Sequence, residues 1–204
     1  MDLQNKIVGV VGRKGSGKSR VFQAMLQRSS RLFLLDTMGE HDWISNRFYS
    51  LQGVNRFLGW ASLQERFAGS FVCEDEEVEP SFDQVAGWVY EQGRMTLGIE
   101  EIPFFCQPGF LLSGFDRIAR LGRHREISLV YTAQRMAEVA RRLTAATDVF
   151  LLFSNTEPRD LDAIATRCSR EVADLVSELP EHGWLSWDVV SRKVSTNGKL
   201  PIWV

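Results

Sequence analysis

The sequence has few cysteines, no long run of apolar residues and no excess of positive charge. Its three cysteines, Cys73, Cys106 and Cys168, are odd in number and widely spaced, which argues against a disulfide framework or a zinc site. Its longest apolar runs are far shorter than the roughly 20 residues of a membrane-spanning helix, and the start "MDLQNK" lacks the pattern of a signal peptide. We therefore expect a cytoplasmic protein that is not an integral membrane protein.

The charge balance is close to even, with 24 basic and 26 acidic residues and a net charge of −2. Any contact with nucleic acid must therefore come from a local cluster of basic residues or from the assembly of several copies. The composition, 44% hydrophobic and 25% charged, is typical of globular proteins. A length of 204 residues suits one full α/β domain and is too short for two ordinary ones. We predict a single domain over residues 1–204.

A glycine-rich loop, "GRKGSGKS", lies near the start of the chain and fits the pattern G-x-x-x-x-G-K-[ST]. The apolar run "KIVGVV" before it predicts a buried strand, and the apolar spacing of "RVFQAMLQR" after it predicts a helix. Strand, glycine loop and helix form the context that a phosphate-binding loop requires. The alternative is a glycine turn that caps an ordinary helix. The predicted nucleotide-binding residues are Gly12, Arg13, Lys14, Gly15, Ser16, Gly17, Lys18 and Ser19.

The chemistry of such a loop follows from its backbone and its last two residues. Glycines allow the amide N–H groups to turn inward around an anion, and the following helix adds the partial positive charge of its N-terminus. Lys18 would reach the β- and γ-phosphates, and Ser19 would ligate magnesium. We predict ATP and Mg²⁺ as cofactors.

Strand-like and helix-like segments alternate along the rest of the chain, which predicts a mainly parallel sheet covered on both faces. The fold class predicted is therefore α/β, a P-loop NTPase three-layer sandwich, and "GWLSWDVVSRKVST" predicts a C-terminal β-hairpin. A helical turn is expected near "WASLQERF", a loop over "PFFCQPG" and a helix over "MAEVARRLTAAT".

Two adjacent carboxylates end the predicted strand "MTLGIEEI". In open α/β sheets, the carboxyl ends of the strands face the ligand crevice. Glu100 would hold magnesium, in the Walker-B role, and Glu101 would polarise the attacking water. The alternative is an exposed acidic pair at the end of a strand.

Gln134 lies at the end of the next predicted strand, in "LVYTAQR". An amide at this position can contact both the γ-phosphate and the water, and so can sense the state of the nucleotide. The alternative is a solvated surface glutamine. Nothing besides the strand-end position separates the two interpretations.

Arginines crowd the segment "DRIARLGRHRE" just before that strand. They could form a solvated basic helix face, contact nucleic-acid phosphates, or supply an arginine finger to the γ-phosphate of a neighbouring subunit. Arg123, which follows Gly122 of the "GR" turn, is the first choice for such a finger, and Arg120 is the second.

The segment "RIARLGRHREISLVYTAQR" resembles the arginine-rich helix, "GR" turn and sensor-glutamine strand of DNA-translocating ATPases of the FtsK/HerA superfamily. "RLFLLDTMGEH" resembles that superfamily's second strand, with Asp36, Gly39 and Glu40 as the matching residues. With the glycine loop and the acidic pair, the resemblance covers roughly residues 6–153. One departure is that the superfamily's Walker-B strand usually ends Asp-Glu, whereas this one ends Glu-Glu.

The resemblance implies a RecA/FtsK-HerA-like fold and a homo-hexameric ring with nucleotide at the subunit interfaces and double-stranded DNA in the pore. Compact members include genome-packaging ATPases of icosahedral viruses with an internal membrane, so it further implies genome packaging, a capsid or membrane-vertex partner, and a location in the host cytoplasm or at the virion vertex. The alternatives are a plasmid-mobilisation or secretion-type ATPase, a slow nucleotide-dependent regulatory module, and a small-molecule kinase.

Overall fold

The computed structural model describes residues 4–72 and 78–196, and within them most strands join one large sheet. The strands are β1 (Ile7–Val11), β2 (Arg31–Leu35), β3 (Arg47–Phe48), β4 (Phe67–Phe71), β5 (Met95–Ile99), β6 (Cys106–Gln107), β7 (Phe110–Leu111), β8 (Ile127–Ala133), β9 (Val149–Phe153), β10 (Trp184–Asp188) and β11 (Lys193–Thr196). The nine-stranded sheet has the order β11-β10-β9-β1-β8-β5-β2-β4-β3, and β6 and β7 form a separate small hairpin.

Parallel pairing dominates this sheet. β1 pairs with β8 and β9, β5 pairs with β8 and β2, and β4 pairs with β2 and β3, all in parallel. β10 is antiparallel to both β9 and β11. The predicted mainly parallel sheet and the predicted C-terminal β-hairpin are therefore confirmed.

Helices cover both faces of the sheet. They are α1 (Lys18–Leu26), α2 (Leu51–Ala61), α3 (Val78–Gln92), α4 (Ser113–Leu121), α5 (Arg141–Ala146), α6 (Pro158–Arg167) and α7 (Arg170–Glu178). The buried residues of α1 pack on one face, against Val8, Val10, Leu32 and Leu34, and those of the later helices pack on the other. This alternation along the strands produces the predicted three-layer sandwich. No described helix is long and apolar enough to cross a membrane.

Three local predictions differ from the structure. The helix expected near "WASLQERF" is α2, which begins earlier, where the Ser50 side chain caps it by accepting the N–H of Gly53. Gly53 and Gly59 lower the helical propensity of this segment, which makes the start of α2 hard to predict from the sequence. The segment "PFFCQPG", expected as a loop, holds part of a 3₁₀ turn at Ile102–Phe105 and of the β6–β7 hairpin. The helix expected over "MAEVARRLTAAT" is split into a 3₁₀ turn and α5, because Val139 has an extended backbone between them.

The described cysteines are free thiols. Cys106 is buried and Cys168 is half-buried, while Cys73 lies outside the described residues. Burial raises the pKa of Cys106 and raises the pKa of Cys168 to about 12, so both stay protonated near neutral pH. Their role in the fold is therefore that of small packed side chains.

Candidate active site

The predicted site residues other than Arg120 and Arg123 meet at one edge of the sheet, where the carboxyl ends of β1, β2, β5, β8 and β9 lie side by side. We call this the carboxyl edge and the opposite one the amino edge. The glycine loop follows β1, Asp36 follows β2, the acidic pair follows β5, and Gln134 follows β8. Parallel strands in one sheet necessarily bring these segments together, since all of them run in the same direction.

The glycine loop requires glycine at several positions. Gly15 and Gly17 have φ angles of +79° and +95°, in the left-handed region that other residues rarely adopt. A Cβ atom on Gly12 would lie 2.6 Å from Cβ of Phe153 and 2.7 Å from Oγ of Ser16. The chain after β1 therefore packs directly on β9, which leaves no room for a side chain at Gly12.

Polar groups inside this loop lack partners. Ser16 is buried, and its Oγ has no hydrogen-bond partner among the described residues. Lys18 is also buried, and none of the ion pairs within the described chain includes it. The N–H groups of Lys18 and Ser19, in the first turn of α1, have no intrahelical acceptor, and Gly17 offers no side-chain cap. A buried cation, an unpaired hydroxyl and free amides form a cradle that fits a polyphosphate anion.

The acidic pair divides between two environments. Glu100 is 7% exposed, whereas Glu101 is half-buried with φ 54° and ψ 62°, a left-handed conformation unusual for a residue with a side chain. Glu101 donates its backbone N–H to Oγ1 of Thr132 at 2.8 Å. With this left-handed backbone, Glu101 contacts β8, whereas Glu100 is buried.

Glu101 and Gln134 are joined directly. Oε1 of Glu101 accepts the backbone N–H of Gln134 at 3.0 Å, and the Gln134 residue itself is exposed. The structure thus brings together the predicted water-activating carboxylate and the predicted sensor strand. It does so through the backbone of Gln134, so the side-chain amide is not required for this link.

Two residues at this edge, Asp36 and His41, received no role from the sequence. Asp36 is fully buried, and its two carboxylate oxygens accept the backbone N–H groups of Glu40, at 3.2 Å, and His41, at 3.1 Å. Nε2 of His41 lies 2.9 Å from Oε2 of Glu100. The strand-end position of Asp36, beside that of Glu100, was a usable signal, whereas nothing in the sequence singled out His41.

Asp36, His41 and Glu100 have ligand-type atoms within 4.8 Å of one another and could hold a metal ion. Burial by itself lowers the pKa of His41. The hydrogen bond to Glu100 and the charges of Glu100, Asp36 and Glu40 outweigh burial, so the pKa is raised above its ordinary value. The predicted magnesium residue Glu100 is therefore part of a buried polar cluster rather than an isolated surface carboxylate.

A cleft of about 280 Å³ flanks the other side of the glycine loop. Its lining comprises Arg13, Lys14, Gly15, Ser16, Ser154, Glu181 and His182. Nδ1 of His182 lies 3.4 Å from the carbonyl oxygen of Ser16, which connects the segment before β10 to the loop. Sequence patterns do not indicate this cleft, because Ser16 and His182 on its two sides are 166 residues apart along the chain.

Arg135, directly after Gln134, anchors the end of β8. Its guanidinium lies 2.9 Å from Glu157, 3.2 Å from the buried Asp160 and 3.6 Å from Glu138. The hydrogen bond to Asp160 contributes most to raising the pKa of Arg135. This network ties the segment after Gln134 to the start of α6.

The candidate finger residues lie at the amino edge, away from the glycine loop of their own chain. Arg123 precedes β8, is 71% exposed at its side chain and lies 3.5 Å from Asp148. Arg120, on α4, is 65% exposed and lies 3.4 Å from Asp116. The five residues of β1 span roughly 16 Å between the two edges. The structure therefore does not bring Arg120 or Arg123 to the phosphate cradle within one chain.

The two other arginines of that cluster have structural contacts. The Arg117 guanidinium stacks 3.9 Å from the ring centroid of Tyr90 and pairs with Glu91 at 2.8 Å. Arg125 donates to the backbone carbonyl oxygens of Tyr90 and Glu91. Both residues join the amino edge to α3, which leaves Arg120 and Arg123 as the more exposed members of the cluster.

Comparison with known proteins finds similarity only at the level of structure. No protein-family model matches the chain, and no curated protein sequence matches it. The structure is similar to the genome packaging NTPase B204 from Sulfolobus turreted icosahedral virus 2 in complex with ATP-gammaS. The TM-score is 0.78 and the identity 20%, over 98% of this chain and 100% of that one.

Two further solved structures are similar. The DNA-packaging ATPase B204 from Sulfolobus turreted icosahedral virus matches with a TM-score of 0.68 and 20% identity, over 94% of this chain and 96% of that chain. The pCW3 conjugation coupling protein TcpA matches with a TM-score of 0.54 and 18% identity, over 91% of this chain and 58% of that chain.

These likenesses establish a class of fold. The chain has the α/β fold of P-loop NTPases, which confirms the predicted fold class. Within that class, the predicted resemblance to compact genome-packaging ATPases is confirmed at the level of the fold.

We predict that Gly12→Ala destabilises the protein by about 1–3 kcal/mol, because the added methyl group overpacks the contact with Phe153. The matched control is Gly59→Ala on α2, where a Cβ meets nothing within 4 Å. That change should stabilise by about 0.5–1 kcal/mol through helical propensity. Urea unfolding of both variants provides the comparison. Equal stability of Gly12→Ala and the parent would contradict the close approach of the loop to β9.

Proposed function

We propose that the protein is an ATP-hydrolysing motor that translocates double-stranded DNA, in the packaging of a viral genome into a capsid. The observation that carries this proposal is the bond between Oε1 of Glu101 and the N–H of Gln134, since it couples the acidic pair to the sensor strand beside a phosphate cradle. The full-length likeness to a packaging NTPase supports the motor over a P-loop kinase. On this proposal residues 1–204 act as one domain.

ATP and Mg²⁺ are the cofactors that the site fits. The unpaired Oγ of Ser16 and the buried Lys18 call for an anion, and a Cβ atom built on Gly15 would meet nothing within 4 Å. Lys18 would contact the β- and γ-phosphates, and Ser19 and Glu100 would hold Mg²⁺. When bound, Mg²⁺ would neutralise part of the negative charge of the phosphates.

Glu101 is positioned to act on water. Its Oε1 is held by the backbone of Gln134, which leaves Oε2 to accept a proton from the attacking water. Because Gln134 lies at the end of β8, any shift of that strand end moves the carboxylate with it. The proposed sensor and the proposed base therefore move as one unit.

Two substitutions should separate binding from hydrolysis. We expect Lys18→Ala to abolish both ATP binding and ATP hydrolysis, because the cradle loses its cation. Glu101→Gln should retain binding and slow hydrolysis by about 10²–10⁴-fold, because the amide cannot take the proton. Lys193→Ala and Glu65→Gln, at exposed positions, are the matched controls. Equal hydrolysis by the parent and Glu101→Gln would refute the catalytic assignment.

Gln134→Ala tests the coupling to DNA. We expect the variant to bind ATP normally and to lose most of the stimulation of ATPase activity by double-stranded DNA, because the γ-phosphate contact of the amide is removed. The control is Gln52→Ala, an exposed glutamine on α2. Undiminished stimulation in Gln134→Ala would make this residue a solvated surface glutamine. Absence of stimulation in the parent protein would refute the translocase itself.

A homo-hexameric ring gives the amino-edge arginines a role. Arg123 is exposed and too far from its own phosphate cradle, so it could complete a nucleotide site only in a neighbouring copy. We propose Arg123 as the finger that stabilises the transition-state charge in the next subunit, with Arg120 as the second candidate. A residue supplied in trans would let hydrolysis report that the neighbouring subunit is docked.

Mixed rings test the finger. Arg123→Ala and Lys18→Ala should each be inactive alone, since fingers contribute about 10³–10⁵ in rate. Mixing the two should restore part of the activity, because Arg123 of a Lys18→Ala subunit completes the intact cradle of its neighbour. Absence of recovery, in rings that sizing shows to be mixed, would mean that Arg123 acts elsewhere. The same mixture with Arg120→Ala in place of Arg123→Ala compares the second candidate.

A plasmid-mobilisation or secretion-type ATPase is the second candidate function, and the likeness to a conjugation coupling protein favours it. The packaging proposal adds a capsid or membrane-vertex partner and a place in the host cytoplasm or at the virion vertex. A capsid gene adjacent to the gene for this protein would separate the two functions, and mobilisation genes there would favour the alternative. A slow regulatory module would differ from both in lacking stimulation by DNA.

A further inference from the structure

His41 is held between two hydrogen-bond partners inside the carboxyl edge. The residue is 4% exposed, with Nε2 2.9 Å from Oε2 of Glu100 and Nδ1 3.2 Å from Nε1 of Trp43. Phe22 of α1 packs against the imidazole, with ring centroids 5.8 Å apart. Both ring nitrogens are therefore engaged, and the ring is restrained by helix α1 as well.

The partners determine which nitrogen carries the proton. An indole N–H can only donate, so Nδ1 of His41 must accept from Trp43 and has to be unprotonated. A neutral imidazole carries one N–H, which then lies on Nε2 and is directed at Oε2 of Glu100.

Hydrogen bonds also fix the backbone of the segment that contains His41. The carboxylate of Asp36 accepts the N–H groups of Glu40 and His41, and Oγ1 of Thr37 donates to the carbonyl oxygen of Glu100 at 3.3 Å. The side chains of Thr37 and His41 thereby join this segment to both the carbonyl oxygen and the carboxylate of Glu100. These bonds provide partners for both carboxylate oxygens of Asp36 and both ring nitrogens of His41.

We propose that His41 is a positioning residue for Glu100, holding Oε2 so that the other carboxylate oxygen is presented to the phosphate cradle, and that Trp43 fixes the tautomer required. This inference rests on the proposed function, in which Glu100 holds Mg²⁺. It accounts for a glutamate at a position where the superfamily usually has aspartate. The longer side chain has an additional rotatable bond, and the hydrogen bond from His41 removes the freedom that this bond would otherwise give.

The first experiment reads the tautomer directly, with no nucleotide present. The chain has three histidines, so ¹⁵N spectra of the imidazole rings can be assigned by substitution. In spectra recorded at a pH above the raised pKa of His41, where the ring is neutral, we expect protonation on Nε2 in the parent protein and loss of this preference in Trp43→Phe, which keeps an aromatic ring and removes the donor. Trp60→Phe, at a residue 51% exposed, is the control. The opposite tautomer of the neutral ring, protonated on Nδ1, would overturn the role of Trp43.

The second experiment measures binding of a fluorescent ATP analogue with Mg²⁺ and with EDTA. His41→Leu should reduce the affinity measured with Mg²⁺ by about 10–100-fold, as is typical when a partner of a metal ligand is lost. It should leave the affinity measured in EDTA unchanged, which also shows that the cradle is folded. His41→Gln, whose amide can donate to Glu100, should recover most of the loss. His124→Leu, at the exposed amino edge, is the matched control.

The outcomes separate this inference from the proposed function. Equal affinities of His41→Leu and the parent with Mg²⁺ would overturn the positioning role. Failure of the parent to bind the analogue at all would refute the ATP site, while the ¹⁵N spectra would still test the link between Trp43, His41 and Glu100. A stoichiometric metal ion in the purified protein, lost in His41→Leu, would overturn the inference in favour of a metal centre at Asp36, His41 and Glu100.

Discussion

The parallel register of β1, β8, β5 and β2 determines the position along the strand direction at which each functional segment leaves the sheet. Val11 pairs with Ala133, Ile99 with Tyr131, and Leu35 with Ile99. The residues that follow β1 and β8 therefore emerge at one level, where the N–H of Gly12 donates to the carbonyl oxygen of Ala133 at 3.0 Å. The residues that follow β5 and β2 emerge at a second level, two residues earlier along the sheet. A slip of one residue would reverse the facing of every side chain in the slipped strand. The geometry of the site is thus a property of the whole central sheet.

Sequence patterns predicted the parts of the site that are encoded locally. The glycine loop, the acidic pair and Gln134 each follow an apolar strand, and each could be located within about ten residues of sequence. His41 could not, because its role depends on a contact with Glu100, 59 residues away. The cleft beside His182 is a similar case, since Ser16 lies 166 residues from it along the chain. Strand order creates both contacts, and a single sequence does not display strand order.

The same distinction between local patterns and long-range contacts explains the errors in the prediction of the fold. The general alternation of strands and helices could be predicted, because the spacing of apolar residues indicates which face of each element is buried. Helix α2 was poorly placed, because Gly53 and Gly59 weaken its pattern while buried Val54, Phe57 and Leu58 stabilise it by packing. Tertiary contacts override propensity there. At β6 and β7, two strands of two residues each are too short to show any period.

The backbone of Glu101 has a consequence for the durability of the protein. Holding a residue other than glycine in the left-handed region lowers the stability of the folded protein by about 1–3 kcal/mol. Glu101 is in this region, with φ 54°. Glycine at this position would relieve the strain and also remove the carboxylate. Selection for heat resistance and selection for turnover therefore act in opposite directions on this residue. A programme that ranks substitutions by thermal stability alone would favour replacing it, and would gain a hardier protein that has lost its proposed base.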